Sequence, residues 1–345
     1  MSDALRVWTA SDRLPTPLSS QVKTMSCVRV EDMSLTPHPY MCNYGPGEWV
    51  SRSYNFKPAV TYEAASVAFF LHTMAIAGPG TGFLDVGSNF GTYSVHIANR
   101  GHPVVLVDVN RNNLYLAHNS ANWNGIKHMT FVNHAIWKDS STPIDLNLAG
   151  YLATKTVSYK GKGEGTGEFT NVGRLSVMTQ LRNKTSARGR RLWGVSPATH
   201  GKATEGVDRV PSITLTDLGR RVVNQLPVDQ RFKRVVMKLD VQGAERAAFQ
   251  GADDFFKEFD VLMVMTEKPH YPSVGRFLRA HGFVAYCFKS RECKIPEPLS
   301  VTRTTGHTHN RSHAHKSEYQ AKLVYWTKQY TWQRSSRGRP SRSES

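Results

Sequence analysis

The stretch Phe83-Leu84-Asp85-Val86-Gly87-Ser88-Asn89-Phe90-Gly91 decides the fold. Four residues read as a short apolar strand that runs into a glycine loop. Thr92 to Arg100 then has a helical pattern and stops at Gly101, and a second apolar strand, Val104 to Val107, ends on Asp108. Strand, glycine loop, helix and strand, with a carboxylate about 20 residues past the loop, is the nucleoside-binding half of a Rossmann-like sheet.

The loop's side chains bear on which nucleoside fits. A dinucleotide loop needs a second glycine so that the backbone can approach a pyrophosphate; here that place holds Asn89. The Gly-Lys-Ser/Thr ending of an ATP loop is also missing. An acid ahead of the first glycine repels phosphate and suits a cation. S-adenosylmethionine (SAM) carries an ammonium, a sulfonium and a carboxylate, and no phosphate. Asp85 can face the ammonium, directly or through water. The helix start after Gly91, with Thr92, can receive the carboxylate on its N–H groups. Asp108 can accept from the ribose hydroxyls. The expected cofactor-binding set is Asp85, Gly87, Ser88, Asn89, Gly91, Thr92, Asp108, Asn110, His134 and Ala135.

Three ordered blocks carry a family resemblance. Phe83-Leu-Asp-Val-Gly-Ser-Asn-Phe-Gly-Thr-Tyr-Ser94 resembles the first motif of the FkbM-type SAM-dependent methyltransferases. Asn110-Arg-Asn-Asn-Leu-Tyr-Leu-Ala-His-Asn-Ser-Ala-Asn-Trp-Asn124 is similar to their asparagine-rich helix. Val236-Met-Lys-Leu-Asp-Val-Gln-Gly-Ala-Glu245 is similar to their Lys-x-Asp-x-(Glu/Gln)-Gly-x-Glu motif, and Ile213-Thr-Leu-Thr-Asp-Leu218 has a counterpart upstream of it. The resemblance spans roughly residues 80 to 290 apart from a long insertion. It departs at Asp108-Val109, where the family usually has Glu-Pro, and at Gln242, often Glu. A shorter acid can still hold a ribose with some repositioning; Gln242 is given no part in proton transfer. The resemblance implies a class I methyltransferase fold and an oxygen acceptor on a small molecule or glycan.

The rest of the chain fits an α/β fold with a seven-stranded, mostly parallel sheet and helices on both faces. Thr61 to Ala77 is helical, with Val67, Phe70, Leu71 and Met74 on one apolar face. Strands are expected at 83–86, 104–108, 129–136, 235–240, 260–266, 283–288 and 323–327, the last two as an antiparallel pair. Helices are expected over 111–123, 244–250 and 273–280, each stopped by a glycine. Residues 1–58 read as an irregular extension over the core or its mouth, 59–330 as the methyltransferase domain, and 331–345 as a basic disordered tail. Insertions of about 150–209 and 290–320 exceed ordinary loop lengths.

No apolar run approaches the length of a transmembrane helix, and the first residues lack the apolar stretch of a secretory signal. The expectation is therefore cytoplasmic, with a secretory route open if the N-terminus is incomplete. Cys27, Cys42, Cys287 and Cys293 lack zinc-knuckle spacing and read as isolated thiols, with a Cys27–Cys42 disulfide open in an oxidising compartment. Only there would the sequons at Asn183 and Asn310 matter. The formal net charge is +17. It concentrates in Tyr151 to Arg209 and in the tail, and its field attracts polyanions: nucleic acid, acidic glycan or a membrane surface. Four histidines within Gly306 to His315 are read as a polar loop, with no metal assigned.

The carboxyl ends of the strands form the expected crevice. Asp240 is the first candidate to orient an acceptor hydroxyl or take its proton. Lys238, two residues earlier and on the same strand face, can hold Asp240 as a carboxylate or serve only as a buried ion pair. Glu267 and His270, past the fifth strand, are candidate acceptor contacts or bases. Glu245, near the start of its helix, is read either as a dipole partner for that helix or as a catalytic acid. The rival readings are an RNA methyltransferase using the basic insertion and tail, and a non-catalytic binding protein on the same fold.

Overall fold

The computed structural model describes residues 5–14, 25–32, 35–45, 48, 50–55, 58–147, 156–159, 167–170, 207–266, 272–287 and 324–328. In chain order its strands are β1 (Val7–Thr9), β2 (Ser26–Arg29), β3 (Tyr40–Asn43), β4 (Thr81–Val86), β5 (Val104–Val107), β6 (Met129–Val132), β7 (Ala135–Ile136) and β8 (Ile144–Asn147). There follow β9 (Thr156–Tyr159), β10 (Gly167–Thr170), β11 (Val207–Val210), β12 (Ser212–Ile213), β13 (Arg234–Leu239), β14 (Asp260–Thr266), β15 (Phe283–Cys287) and β16 (Val324–Lys328). The helices are α1 (Ala64–Ala77), α2 (Thr92–Ala98), α3 (Arg111–Trp123), α4 (Leu215–Arg221), α5 (Glu245–Gln250), α6 (Asp253–Glu258) and α7 (Pro272–Ala280).

The main sheet runs β1-β6-β5-β4-β13-β14-β16-β15. β6, β5, β4, β13 and β14 are mutually parallel, and β16 is antiparallel to both β14 and β15. Each of the seven expected strands has a counterpart in this sheet, the third of them shortened. An eighth, β1, adds antiparallel to β6 from the N-terminal extension. Three residues are too few to show a period, so this edge was not legible in the sequence.

Alternation along the central strands divides the core in two. Phe83, Val104, Leu106 and Val236 pack on one face with Phe70, Met74, Phe90, Tyr93 and Leu114. Leu84, Val86, Val105, Val107, Val235, Met237 and Leu239 pack on the other with Leu218, Phe249, Phe255 and Trp326. Asp85 and Lys238 share the parity of Phe83 and Val236, and are therefore polar groups on a buried face.

The expected third strand, 129–136, is broken at Asn133-His134. β6 ends at Val132, and Ala135-Ile136 pairs in parallel with β12. The insertion that follows is closed at its base by antiparallel pairing of β8 with β11. Ile144 and Val210 pack there with Ala135, Trp137, Ala244 and Ala247. The remainder of that insertion beyond β9 and β10, the 290–320 segment with its histidines, Cys293, both sequons and the tail lie outside the described residues.

The N-terminal extension is more ordered than its sequence suggests. β2 and β3 form an antiparallel hairpin in which Cys27 faces Cys42, and the two are joined in a disulfide. This replaces the isolated-thiol reading for that pair: a cross-strand register sets them opposite one another, which spacing alone cannot reveal. Among the described residues no helix is long and apolar enough to cross a membrane.

Candidate active site

The glycine loop makes a tight passage between β4 and α2. Gly87, Asn89 and Gly91 all have left-handed backbones, with φ of 75°, 51° and 80°. A Cβ on Gly87 would lie 1.9 Å from the Asp240 carbonyl oxygen, so only glycine lets β4 and β13 end side by side. Asn89 supports its own turn, its Oδ1 accepting from the Phe90 N–H at 2.9 Å. The Ser88 hydroxyl donates to the Asn89 carbonyl at 3.1 Å. Thr92, at the start of α2, exchanges a hydrogen bond with the Tyr54 hydroxyl at 2.9 Å.

Asp108 ties this loop to the end of β5. Its Oδ2 accepts from the Asn89 N–H at 2.8 Å. Its Oδ1 accepts from the Asn110 N–H at 2.7 Å and from Asn113 Nδ2 at 3.2 Å. Burial pushes Asp108 up to about 7, against those three hydrogen bonds, which pull it down. Asn110 caps α3, its side chain accepting from the Asn112 N–H at 3.0 Å. Asn133 donates to the carbonyls of Asp108 and Val109, both at 3.0 Å, and so fixes the turn after β5. His134 and Ala135, expected beside an adenine, are both buried, and the Ala135 N–H is taken by Pro211 at 2.9 Å.

Lys238 stands between two acids. Its Nζ lies 3.5 Å from Asp85 Oδ1 and 3.7 Å from Asp240 Oδ2, and donates to the Gly87 carbonyl at 2.8 Å. Burial opposes its charge, but Asp85 and Asp240 outweigh this and raise its pKa above the usual lysine value. Asp85, expected to face a ligand ammonium, is fully enclosed: it accepts from Ser94 Oγ at 2.7 Å and neutralises Lys238. Burial raises its pKa, with Lys238 and Ser94 acting against that. Asp240 is different, with 24% of its side chain exposed. Gln242 Nε2 donates to its Oδ1 at 2.8 Å, from a left-handed backbone of φ 51°. Glu245, the first residue of α5, turns back to accept from the Gly243 N–H at 3.1 Å, which holds the turn ahead of the helix and needs no chemistry. Glu267 and His270 lie outside the described residues.

Several contributors were not legible beforehand. Tyr44 and Tyr54 come from the extension and both set their rings edge-on to Phe90. Tyr93 carries Lys238 over its ring at 5.6 Å and donates to Glu63. Asn113, Asn133, Ser94 and Gln242 each orient a carboxylate or the turn that bears one. Only the density of asparagines around Asp108 was a usable signal.

The donor set fits a phosphate-free cation better than a nucleotide. Asp108 and Asp240 border the loop with carboxyl groups, no phosphate-binding lysine follows the glycines, and Lys238 beneath is already paired with Asp85 and Asp240. Asp108 Oδ2 accepts one bond and retains a lone pair for a hydroxyl, and Asp240 keeps an open face.

Residues 85–285, more than half of the chain, match the family described as Methyltransferase FkbM domain. No curated protein matches the chain. Similar solved structures include a precorrin-6y C5,15-methyltransferase from Geobacter metallireducens, 9% identical over 78% of this chain and 94% of that one, TM-score 0.33. A ribosomal protein L11 methylase from Lactobacillus delbrueckii is 11% identical over 79% and 89%, TM-score 0.33. The magnesium protoporphyrin IX methyltransferase of Synechocystis, with bound SAM, is 11% identical over 76% and 78%, TM-score 0.29. These likenesses are distant, and the assignment rests on the family match. The chain belongs to the FkbM methyltransferase family, and with it to the SAM-dependent methyltransferases.

Proposed function

We propose that the protein methylates a hydroxyl on a small molecule or glycan, with Asp240 receiving the acceptor's proton. The observation that carries this is the contrast among the three acids: Asp85 and Asp108 are buried and engaged, whereas Asp240 keeps 24% of its side chain exposed beside Lys238 and Gln242. SAM, when bound, supplies an electrophilic methyl on a sulfonium leaving group. The protein's task is to align an oxygen with it and remove a proton, and alignment alone can supply several kcal/mol. Gln242 fixes one Asp240 oxygen, and Lys238 lies beside the other. Asp108 Oδ2 would hold the ribose, and the first turn of α2 the cofactor's carboxylate.

A second reading, an RNA acceptor, is favoured by one observation. The β8–β11 base of the insertion packs against Ala244 and Ala247, next to the Asp240 turn. The segment 148–206 rooted there holds ten lysines and arginines against three acids. Labelled-methyl SAM, offered with separated protein, RNA, lipid and glycan fractions, distinguishes the readings. Label in the glycan or small-molecule fraction, lost in Asp240→Asn with SAM binding retained, is the expected result. Label in RNA, with transfer falling steeply as salt rises, would replace it.

A further inference from the structure

The β2–β3 hairpin lies on α3, the helix that opens at the end of β5. The Cys42 N–H donates to Ser120 Oγ at 2.8 Å. Tyr40 and Asn124 exchange two bonds, Tyr40 N–H to Oδ1 and Nδ2 to the Tyr40 carbonyl, each 2.8 Å. The chain leaves this clamp directly into Tyr44, whose hydroxyl donates to Asn113 Oδ1 at 2.6 Å. Asn113 in turn donates from Nδ2 to Asp108 Oδ1. Both Tyr44 and Asn113 are buried.

The chain of donors has one direction. Asp108 Oδ1 already accepts from the Asn110 N–H, and Asn113 presents its NH2 to that same oxygen and its carbonyl oxygen to Tyr44. Tyr44 remains a donor: burial, with Glu48 and Asp108 nearby, raises its pKa well above the ordinary value. With Asn113 so held, Asp108 Oδ1 is saturated by two bonds, and Oδ2 is the oxygen with capacity left.

We infer that Tyr44 is a positioning residue for the cofactor's ribose, acting through Asn113 to hold Asp108 with Oδ2 open to a hydroxyl. The inference rests on the assignment of Asp108 to the ribose. It makes the N-terminal hairpin, which precedes the matched family region, part of the cofactor site.

Calorimetric binding of S-adenosylhomocysteine (SAH) and of its 2′,3′-dideoxy analogue tests it without any acceptor. Tyr44→Phe leaves a buried Asn113 carbonyl oxygen without its donor, and SAH should bind about tenfold more weakly. The dideoxy analogue, which offers Asp108 nothing, should bind Tyr44→Phe and wild type equally. A role confined to stability would lower the melting temperature without this split. Should Tyr44→Phe not fold, Asn113→Ala breaks the same chain while leaving the Tyr44 ring packed on Phe90, and the same split is expected. Unchanged SAH affinity in the folded variant, beside a clear loss in Asp108→Asn, would overturn the role of Tyr44 alone. Unchanged affinity in Asp108→Asn would overturn the ribose assignment itself.

Discussion

Lys238 and Asp85 are register partners on adjacent parallel strands, and their side chains meet on the same buried face of the sheet. The strand pairing that builds the core therefore also builds a charged centre beneath the glycine loop. Lys238 reaches up from it to the Gly87 carbonyl and sideways to Asp240. One cation thus links the glycine loop to the turn that follows β13.

Removing that cation leaves Asp85 as a buried charge without a counter-ion. Lys238→Met should cost about 3–5 kcal/mol of folding stability. The double variant Lys238→Met/Asp85→Asn should recover part of it, since no charge is then stranded. Urea unfolding of the two single variants and the double measures the coupling. Additive losses would show that the pair does not interact as the geometry indicates.

Gly87→Ala should be damaging for two separable reasons. The left-handed backbone alone costs a side-chain-bearing residue about 1–3 kcal/mol. The new Cβ would also collide with the Asp240 carbonyl. Gly101→Ala supplies the comparison, because its φ is +88° and nothing lies within 4 Å of its Cβ. Gly87→Ala should lose more stability than Gly101→Ala, and should lose methyl transfer as well. Equal losses would mean that the close approach to Asp240 is tolerated.

What could be read from the sequence follows physical strength. The central strands announce themselves because both faces are buried and their apolar runs are unbroken. The helix at Arg111–Trp123 is marked by Gly125 after its end, while the cap that Asn110 supplies at its start was not read. Weak local signals were lost. α6 is six residues long, and β1 has three. The break at Asn133-His134 depends on β12, almost eighty residues away. At the site, alternation put Lys238 and Asp240 on one strand face, and position ahead of the glycine loop singled out Asp85. Neither signal specifies depth, so Asp85 was expected at the crevice and lies beneath it. Tyr44 could not have been found, since its partner Asn113 is brought to it only by the hairpin's packing on α3.

The Cys27–Cys42 disulfide closes a loop with a sequence separation of 15. A loop of that size stabilises by about 3 kcal/mol through the unfolded chain. Cys27→Ser/Cys42→Ser should lose stability of that order. Because β3 leads into Tyr44, reduction of the wild type should also weaken SAH binding. Thermal unfolding and SAH titration, with and without a phosphine reductant, measure both. The serine variant should show no further response to reductant; a response there would place the redox effect elsewhere.

Asp108 should give the folded protein a distinctive pH dependence. Its folded pKa of about 7 lies above the ordinary 3.8 because burial disfavours its charge. Between about pH 4 and pH 7 the folded chain holds a proton that the unfolded chain has released. Asp108 therefore contributes stability that is present at acid pH, declines as pH rises through this window, and is gone above it. Ligand binding should run the other way. A ribose hydroxyl donates best to the ionised carboxylate, so SAH affinity should climb from pH 6 to pH 8 as stability falls. Asp108→Asn removes the titrating group and should flatten both profiles in that range. Urea unfolding and SAH titration across pH 5 to 8 test the pair together. A wild-type affinity that is flat across neutrality, or a slope that survives in Asp108→Asn, would assign the titration to another group.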